Sequence, residues 1–167
     1  MQIEVVTGDI TRQDVDAVVT AANSALRGGG GVDGAVHRAA GPALVRASLA
    51  LAPCPPGSAV VTPAFALAPV RWVVHAVGPV YRGPSDAALL ASAYTASLAR
   101  CDEVGARSVA FPAISTGVYG YPREDAARVS VAALRSAATQ VERCLLVAFD
   151  DDTAGLWSAA LRSHRLP

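Results

Sequence analysis

Short apolar runs alternate along this sequence with longer segments of helical composition, and this alternation limits the fold more than any other feature. The apolar runs are rich in valine and alanine and predict strands at residues 2–6, 17–21, 58–63, 71–77, 107–111 and 143–149. Helices are predicted between and after them, over residues 33–40, 42–51, 85–104, 123–138 and 152–163. Such alternation indicates an α/β fold in which helices cover both faces of a largely parallel sheet.

The length and charge of the chain exclude several classes of protein. Its 167 residues, of which 52% are hydrophobic, predict a single domain over residues 1–167. The 14 basic and 14 acidic residues cancel, so the charge does not favour nucleic acid or an anionic membrane as a partner. All 14 basic residues are arginines, which excludes a Schiff-base lysine and a phosphate-loop lysine.

The cysteines and histidines give no sign of a disulfide framework or a metal site. The three cysteines form no CxxC pair, and His37, His75 and His164 lack the spacing of metal ligands. The N-terminus leads directly into the first predicted strand, and no apolar stretch reaches the length of a membrane span. We therefore expect a cytoplasmic protein with neither a metal nor a cofactor.

The first loop of interest runs from residue 22 to Gly31 and ends in four consecutive glycines. Ligands of α/β sheets bind where strands end, and this loop follows the strand predicted at 17–21. Glycines let backbone N–H groups approach a ligand closely, and the helix that follows attracts phosphate to its N-terminus. The loop is therefore expected to bind an anion; the alternative is a flexible connection without a ligand.

The same glycines satisfy the dinucleotide-binding pattern GxGxxG over residues 29–34. That pattern normally follows a strand directly and has an acidic residue ~20 positions further on. Here residues 22–27 separate the strand from the glycines, and residues 51–54 contain no acid. Both departures argue against a nicotinamide-dependent oxidoreductase.

A second loop, residues 112–121, follows the strand at 107–111 and leads into a helix. It has two glycines and the hydroxyls of Ser115 and Thr116, so it is expected to bind an anion by the same physics. Two such loops that face each other suit a diphosphate. For the two hydroxyls the alternative is turn chemistry, and Tyr119 is expected either to line a pocket or to lie in the core.

Two further positions lie where predicted strands end. Phe149 is suited either to stack on a base or to fill the core. Asp9, in the turn after the first strand, can accept a hydrogen bond from an exocyclic amine, although an aspartate in such a turn is usually structural.

In order along the chain, these segments resemble the macrodomain family, and specifically its MacroD-like branch. The resemblance is carried by GDIT (8–11), AANSAL (21–26), GGGGVDGAVH (28–37), HAVGP (75–79) and ISTGVYGYP (114–122). It covers nearly the whole chain, from Gly8 to Asp150. It implies a three-layer α/β/α sandwich around a mixed, largely parallel sheet, with ADP-ribose in a cleft across the strand ends.

The resemblance also implies which residues bind the ligand. They are Asp9, Ile10 and Phe149 for the adenine; Gly30, Gly31 and Val32 for one side of the diphosphate; Ser115, Thr116, Gly117, Val118 and Tyr119 for its other side; and Asn23 for hydroxyls of the distal ribose.

Asp33 is the position that the resemblance singles out for catalysis, because MacroD-like hydrolases have an acid there and many non-catalytic macrodomains do not. A carboxylate beside the distal ribose could orient or deprotonate a water, a task that a substrate diphosphate oxygen could share. Asn23 and His37 complete the expected catalytic group, and His37 shares a helix face with Asp33. The alternatives are an ordinary acid at a helix N-terminus for Asp33 and a structural role for His37.

The implied function is a hydrolase that removes mono-ADP-ribose from Asp or Glu esters of proteins and deacetylates O-acetyl-ADP-ribose. Its partners would be ADP-ribose, its esters and mono-ADP-ribosylated proteins, and we expect a monomer. The alternative is a reader module that binds ADP-ribose without turnover, which Asp33 and Asn23 argue against. The absence of lysine excludes the branch of the family that uses a lysine near the ribose.

Overall fold

The computed structural model describes residues 1–163, so His164 lies outside the described residues. The strands are β1 (Gln2–Thr7), β2 (Ala17–Ala21), β3 (Ala59–Pro63), β4 (Trp72–Ala76), β5 (Ser108–Phe111) and β6 (Arg143–Ala148). The helices are α1 (Gly31–Ala40), α2 (Ala43–Leu49), α3 (Ala87–Val104), α4 (Arg123–Ser136) and α5 (Asp151–Ser163). Short 3₁₀ turns at Ile10–Arg12 and Pro84–Asp86 precede β2 and α3.

The strands form a six-stranded sheet in the order β1-β6-β5-β2-β4-β3. The first five strands in this order run parallel, and β3 runs antiparallel to β4. Residues 64–71 connect β3 to β4, and a connection of this length is too short for the crossover that parallel neighbours need. The predicted mixed, largely parallel sheet is confirmed.

Helices cover both faces of the sheet, because successive residues of each central strand point to opposite sides. Val18 of β2 and Leu145 of β6 belong to a core that includes Val36 of α1 and residues of α2. The next residues along these strands, Val19 and Leu146, lie in a separate core with α3, α4 and α5. This arrangement confirms the three-layer sandwich.

The predicted elements are confirmed, with boundaries that move by one or two residues. Helix α1 begins at Gly31 and not at residue 33, since the N–H of Gly34 already donates to the Gly30 carbonyl at 3.2 Å. Strand β6 ends at Ala148, which leaves Phe149 outside the sheet. Both corrections fall at the edge where the candidate site lies.

Within residues 1–163, no helix is both long enough and apolar enough to cross a membrane. The same part of the chain holds no group of three or more His, Cys, Asp or Glu side chains that could bind a metal ion. Cys54, Cys101 and Cys144 are buried free thiols.

Candidate active site

Five strands end at one edge of the sheet because they run parallel. The segments that leave this edge contain the predicted site residues. We name residues 22–30, between β2 and α1, the glycine loop, and residues 112–121, between β5 and α4, the serine loop. Since β2 and β5 are neighbours in the sheet, the two loops emerge side by side.

The glycine loop is anchored at its start and open at its end. Leu26 is buried in a left-handed backbone conformation (φ 53°), and the hydroxyl of Ser48 in α2 donates to its carbonyl at 2.7 Å. Gly29 and Gly30 are exposed, and α1 begins directly after them. The first N–H groups of a helix lack partners within it, so this end of the loop presents donors to an anion.

Asp33 lies in the first turn of α1 and is buried, with only 4% of its surface exposed. The hydroxyl of Thr20 in β2 donates to its Oδ1 at 2.9 Å. Its Oδ2 lies beside Gly29, where a Cβ atom would stand 3.7 Å from it. Burial raises the pKa of this carboxyl above its usual 3.8, and the Thr20 hydrogen bond and His37 partly oppose the rise. One oxygen of the Asp33 carboxyl thus accepts a hydrogen bond, and the other faces the glycine loop. The raised pKa makes the carboxylate a stronger base.

His37 follows Asp33 by one turn of α1, and its Nε2 lies 3.4 Å from Asp33 Oδ1. The predicted shared helix face is therefore present. The ring of His37 lies 6.1 Å, between centroids, from that of His75 in β4.

His75 is fully buried, and its Nε2 lies 2.9 Å from the hydroxyl of Thr62. Burial, with a smaller effect of His37, lowers the pKa of His75 to about 4, so this ring is neutral at physiological pH. His75 is therefore a residue of the core.

Asn23, the second residue after β2, is oriented by one hydrogen bond, from its Nδ2 to the Gly28 carbonyl at 2.9 Å. Its Oδ1 is buried and accepts no hydrogen bond from any of residues 1–163. Buried acceptors are rarely left unpaired, because the lost hydration costs roughly 1–3 kcal/mol. The amide oxygen of Asn23 is therefore suited to a donor that a ligand supplies, such as a hydroxyl.

The serine loop is held by hydrogen bonds to two other elements. The hydroxyl of Tyr94 in α3 accepts from the N–H of Ile114 and donates to the carbonyl of Pro112, each at 3.1 Å. The hydroxyl of Ser115 donates to the carbonyl of Pro79 at 2.8 Å. Ser115 has a φ of 68°, an unusual value for a residue other than glycine. Such a conformation persists only where the surroundings enforce it.

The serine loop offers its backbone, not its hydroxyls, to a ligand. The hydroxyl of Ser115 is bonded to Pro79, and that of Thr116 donates to the Ala113 carbonyl at 3.1 Å. The turn chemistry considered for both hydroxyls is thus present. The backbone N–H groups of residues 116–119 donate to no acceptor within the described part of the chain. Val118 is fully exposed and Tyr119 is half-buried at the edge of the loop, not in the core.

Asp9, Ile10 and Phe149 lie together at the β1 end of the edge, since Thr7 of β1 pairs with Ala148 of β6. Ile10 is buried and Phe149 is 88% exposed, so the alternative of a core phenylalanine was wrong: the strand ends one residue before it. The Oδ1 of Asp9 accepts from the N–H and the hydroxyl of Thr11, at 2.9 and 2.7 Å. These bonds hold the pKa of Asp9 below its usual 3.8. The structural role considered for Asp9 is therefore present, and its role towards a ligand stays a prediction.

The family of the chain follows from comparison with known proteins. Residues 19–130, more than half of the chain, match the model of the Macro domain family. The chain belongs to the Macro domain family.

Relatives of this macro domain match it over most of their length. The O-acetyl-ADP-ribose deacetylase of Klebsiella pneumoniae (strain 342) is 49% identical, over 98% of each chain. A macro domain-containing protein of Streptomyces coelicolor is 52% identical, over 89% of this chain and 91% of the relative.

Solved macrodomain structures share the fold. A mutant of the Oceanobacillus iheyensis macrodomain with ADPR superposes with a TM-score of 0.92 at 35% identity, over 97% of this chain and 92% of that one. The Trypanosoma brucei macrodomain in complex with ADP-ribose gives 0.87 at 36% identity, over 95% and 68%.

Two residues that position the site of this macro domain were missed in the sequence. Thr20 bonds to Asp33, and its hydroxyl within the apolar run 17–21 was a signal that could have been used. Gly78 follows β4, and a Cβ atom there would stand 2.2 Å from Ser115 Oγ and 2.6 Å from Ile114 Cγ2. No local sequence pattern predicts the contact between Gly78 and Ser115, because the two residues are far apart in the sequence.

Proposed function

We propose that this macro domain binds ADP-ribose and hydrolyses esters at its distal ribose. The substrates are O-acetyl-ADP-ribose and mono-ADP-ribose esters of Asp or Glu side chains in proteins. Support comes from the near full-length relative named O-acetyl-ADP-ribose deacetylase and from related macrodomains solved with ADP-ribose.

The ligand is proposed to lie along the carboxyl edge of the sheet. The adenine occupies the end with Asp9, Ile10 and Phe149, and the diphosphate lies between the glycine loop and the serine loop. Both loops present backbone N–H groups that donate to no acceptor among residues 1–163, which suits the phosphate oxygens. The distal ribose then reaches Asn23, whose buried Oδ1 accepts from a ribose hydroxyl.

Hydrolysis proceeds by addition of water to the ester carbonyl. Oδ2 of Asp33, next to Gly29, accepts a proton from the water, and a diphosphate oxygen of the substrate shares in orienting it. The new bond joins the water oxygen to the acyl carbon, and the bond from that carbon to the ribose oxygen then breaks. The proton passes to the ribose oxygen, which leaves ADP-ribose and a carboxylic acid. A positioned base of this kind contributes typically 10²–10⁴-fold to the rate, and the raised pKa of Asp33 strengthens it.

The observation that carries the proposal is the buried carboxylate of Asp33 beside the glycine loop, whose backbone N–H groups suit an anion. A negative charge in that place repels a diphosphate, so a module that only bound ADP-ribose would bind it better without Asp33. A hydrolase, in contrast, needs a base there. His37 and Thr20 both contact Oδ1, which leaves Oδ2 for the water.

The test compares the wild type with Asp33→Asn, which keeps the shape of the side chain. We expect ADP-ribose affinity, measured by calorimetry, to stay within a few-fold or to improve. Release of acetate from O-acetyl-ADP-ribose, and of ADP-ribose from a glutamate-modified protein, is expected to fall about 10²–10⁴-fold. The control is Asp14→Asn, which removes an exposed carboxylate outside both loops and leaves both measurements unchanged.

Two results would contradict the proposal. A wild-type protein that binds ADP-ribose and turns over neither substrate is a reader module. If the wild-type protein does not bind ADP-ribose, the proposed ligand and the roles given to all the site residues are wrong.

A further inference from the structure

A groove of about 320 Å³ opens between the glycine loop and the first two helices. It is lined by Gly28 and Gly29 of the loop, by His37 and Arg38 of α1, and by Arg27 and Pro42. Arg27, Arg38 and Pro42 have no part in the hydrolysis proposed above, so this side of the groove is a separate feature of the surface.

The groove begins beside the proposed catalytic carboxylate. His37 belongs to both, since it lines the groove and its Nε2 lies 3.4 Å from Asp33 Oδ1. Gly29 also belongs to both, because a Cβ atom on it would stand 3.7 Å from Asp33 Oδ2. An ester carbonyl placed within reach of Asp33 therefore leaves its acyl group at the mouth of this groove.

Two exposed guanidinium groups give the groove a positive charge. Arg27 and Arg38 form no ion pair with any carboxylate of residues 1–163, whereas six of the other eleven arginines of that segment are paired. Nη1 of Arg38 lies 3.1 Å from the position of a Cβ atom on Gly34, which places this group against the start of α1. No acidic residue of the described part of the chain lines the groove.

We propose that this groove binds the acceptor segment of an ADP-ribosylated protein through carboxylates next to the modified Asp or Glu. Guanidinium groups pair well with carboxylates, often through two parallel hydrogen bonds, and free Arg27 and Arg38 match an acidic segment in charge. The proposal rests on the proposed function, since it assigns the protein part of the substrate. O-acetyl-ADP-ribose carries only an acetyl group at this point and does not reach the arginines.

The experiment uses two peptides, each with one glutamate esterified by ADP-ribose, flanked either by glutamates or by glutamines. We expect the wild type to hydrolyse the acidic peptide with a kcat/KM about 5- to 20-fold higher, an advantage that added salt reduces. The double variant Arg27→Gln, Arg38→Gln is expected to lose this advantage through KM and to keep wild-type activity on O-acetyl-ADP-ribose. The matched control, Arg46→Gln, removes an exposed arginine of α2 outside the groove and keeps the preference.

Several outcomes would overturn the inference while the proposed function stands. They are equal kcat/KM values for the two peptides in the wild type, an undiminished preference in the double variant, and an equal loss of activity on both peptides. Turnover of O-acetyl-ADP-ribose with no turnover of either peptide would overturn it as well. Failure of the proposed function looks different, because the wild type then hydrolyses neither the peptides nor O-acetyl-ADP-ribose.

Discussion

The glycine loop and the serine loop leave neighbouring strands of the same sheet, yet they are held in different ways. The serine loop is bonded to α3 through Tyr94 and to the segment after β4 through Ser115. The first half of the glycine loop is bonded to other segments through Ala22, Ser24 and Leu26, and its second half then runs into exposed glycines beside Asp33. The serine loop is thus fixed by hydrogen bonds from side chains on both sides. The glycine loop instead contains the buried Asn23 Oδ1, which accepts no hydrogen bond from residues 1–163. We therefore expect changes at the supports of the serine loop to cost stability, and changes beside the glycine loop to cost function.

The largest effect on stability is expected from Gly78→Ala, which acts on the support of the serine loop. The added Cβ would stand 2.2 Å from Ser115 Oγ and 2.6 Å from Ile114 Cγ2, so the loop must shift. Overpacking of this kind costs about 1–3 kcal/mol, measured as a lower free energy of unfolding in urea. ADP-ribose affinity should fall with it, because the shift moves the backbone N–H groups of residues 116–119.

The control for this change is Gly83→Ala, where a Cβ atom meets nothing within 4 Å. Equal free energies of unfolding for the two alanine variants would contradict the view that the serine loop is tightly braced.

The next largest effect is expected from Thr20→Val, which removes the hydrogen bond to Asp33 Oδ1. A buried acceptor that loses its partner costs roughly 1–3 kcal/mol, and the cost is larger when the carboxylate is charged. Because this bond lowers the pKa of Asp33, its loss raises that pKa, and the acidic limb of the pH–kcat profile moves to higher pH.

Thr62→Val is the matched control, because its hydroxyl bonds to His75 and not to Asp33. It should lower the free energy of unfolding without moving the acidic limb. A profile that moves equally in both variants would mean that Asp33 is not the group that titrates.

Asp33→Asn is expected to have a smaller effect, and to raise the free energy of unfolding where the two preceding changes lower it. Burial raises the pKa of Asp33 in the folded protein, so above pH 3.8 the folded state holds more protons than the unfolded state. This group therefore contributes stability at low pH that is lost as the pH rises through the raised pKa. The asparagine variant does not titrate, so its free energy of unfolding should rise relative to wild type from acid to neutral pH. A constant difference in urea titrations across that range would show that Asp33 is not destabilised by burial.

The architecture of the sheet could be predicted from the sequence, because apolar runs and helical segments are local patterns. The direction of β3 could not be predicted from its composition alone, since it depends on which strand β3 pairs with. Phe149 shows a similar limit. Its apolar side chain was compatible with the core, and only the end of β6 at Ala148 places it outside.

The sequence was enough to predict which positions form the candidate site, but not which contacts their side chains make. Asp33 and Asn23 were found through their motifs. The burial of Asn23 Oδ1 and of the Asp33 carboxyl, and the different contacts of the two Asp33 oxygens, came only with the structure. Gly78 acts across a long stretch of sequence, because it packs against a loop that follows another strand. Thr20 bonds to Asp33, 13 residues away, and only the fold of the glycine loop brings the two side chains together. Ser115 carried a clear motif, yet its hydroxyl serves the loop and leaves the backbone for the ligand.

The smallest effect on stability is expected from Gly30→Ala, at the junction of the glycine loop and α1. A Cβ atom there meets nothing within 4 Å, and the φ of −91° suits alanine. Alanine restricts the unfolded chain, which stabilises, but it is a poorer helix N-cap than glycine, so the two effects nearly cancel within about 0.5 kcal/mol. ADP-ribose affinity should nevertheless fall about tenfold, since the methyl group stands where the diphosphate must approach the N-terminus of α1.

Gly117→Ala makes the same change in the serine loop, where an added Cβ atom also meets nothing within 4 Å, and it should also weaken binding without loss of stability. If calorimetry finds weaker binding for Gly117→Ala alone, the diphosphate rests on the braced loop only, and the glycine loop serves Asp33 rather than the phosphates.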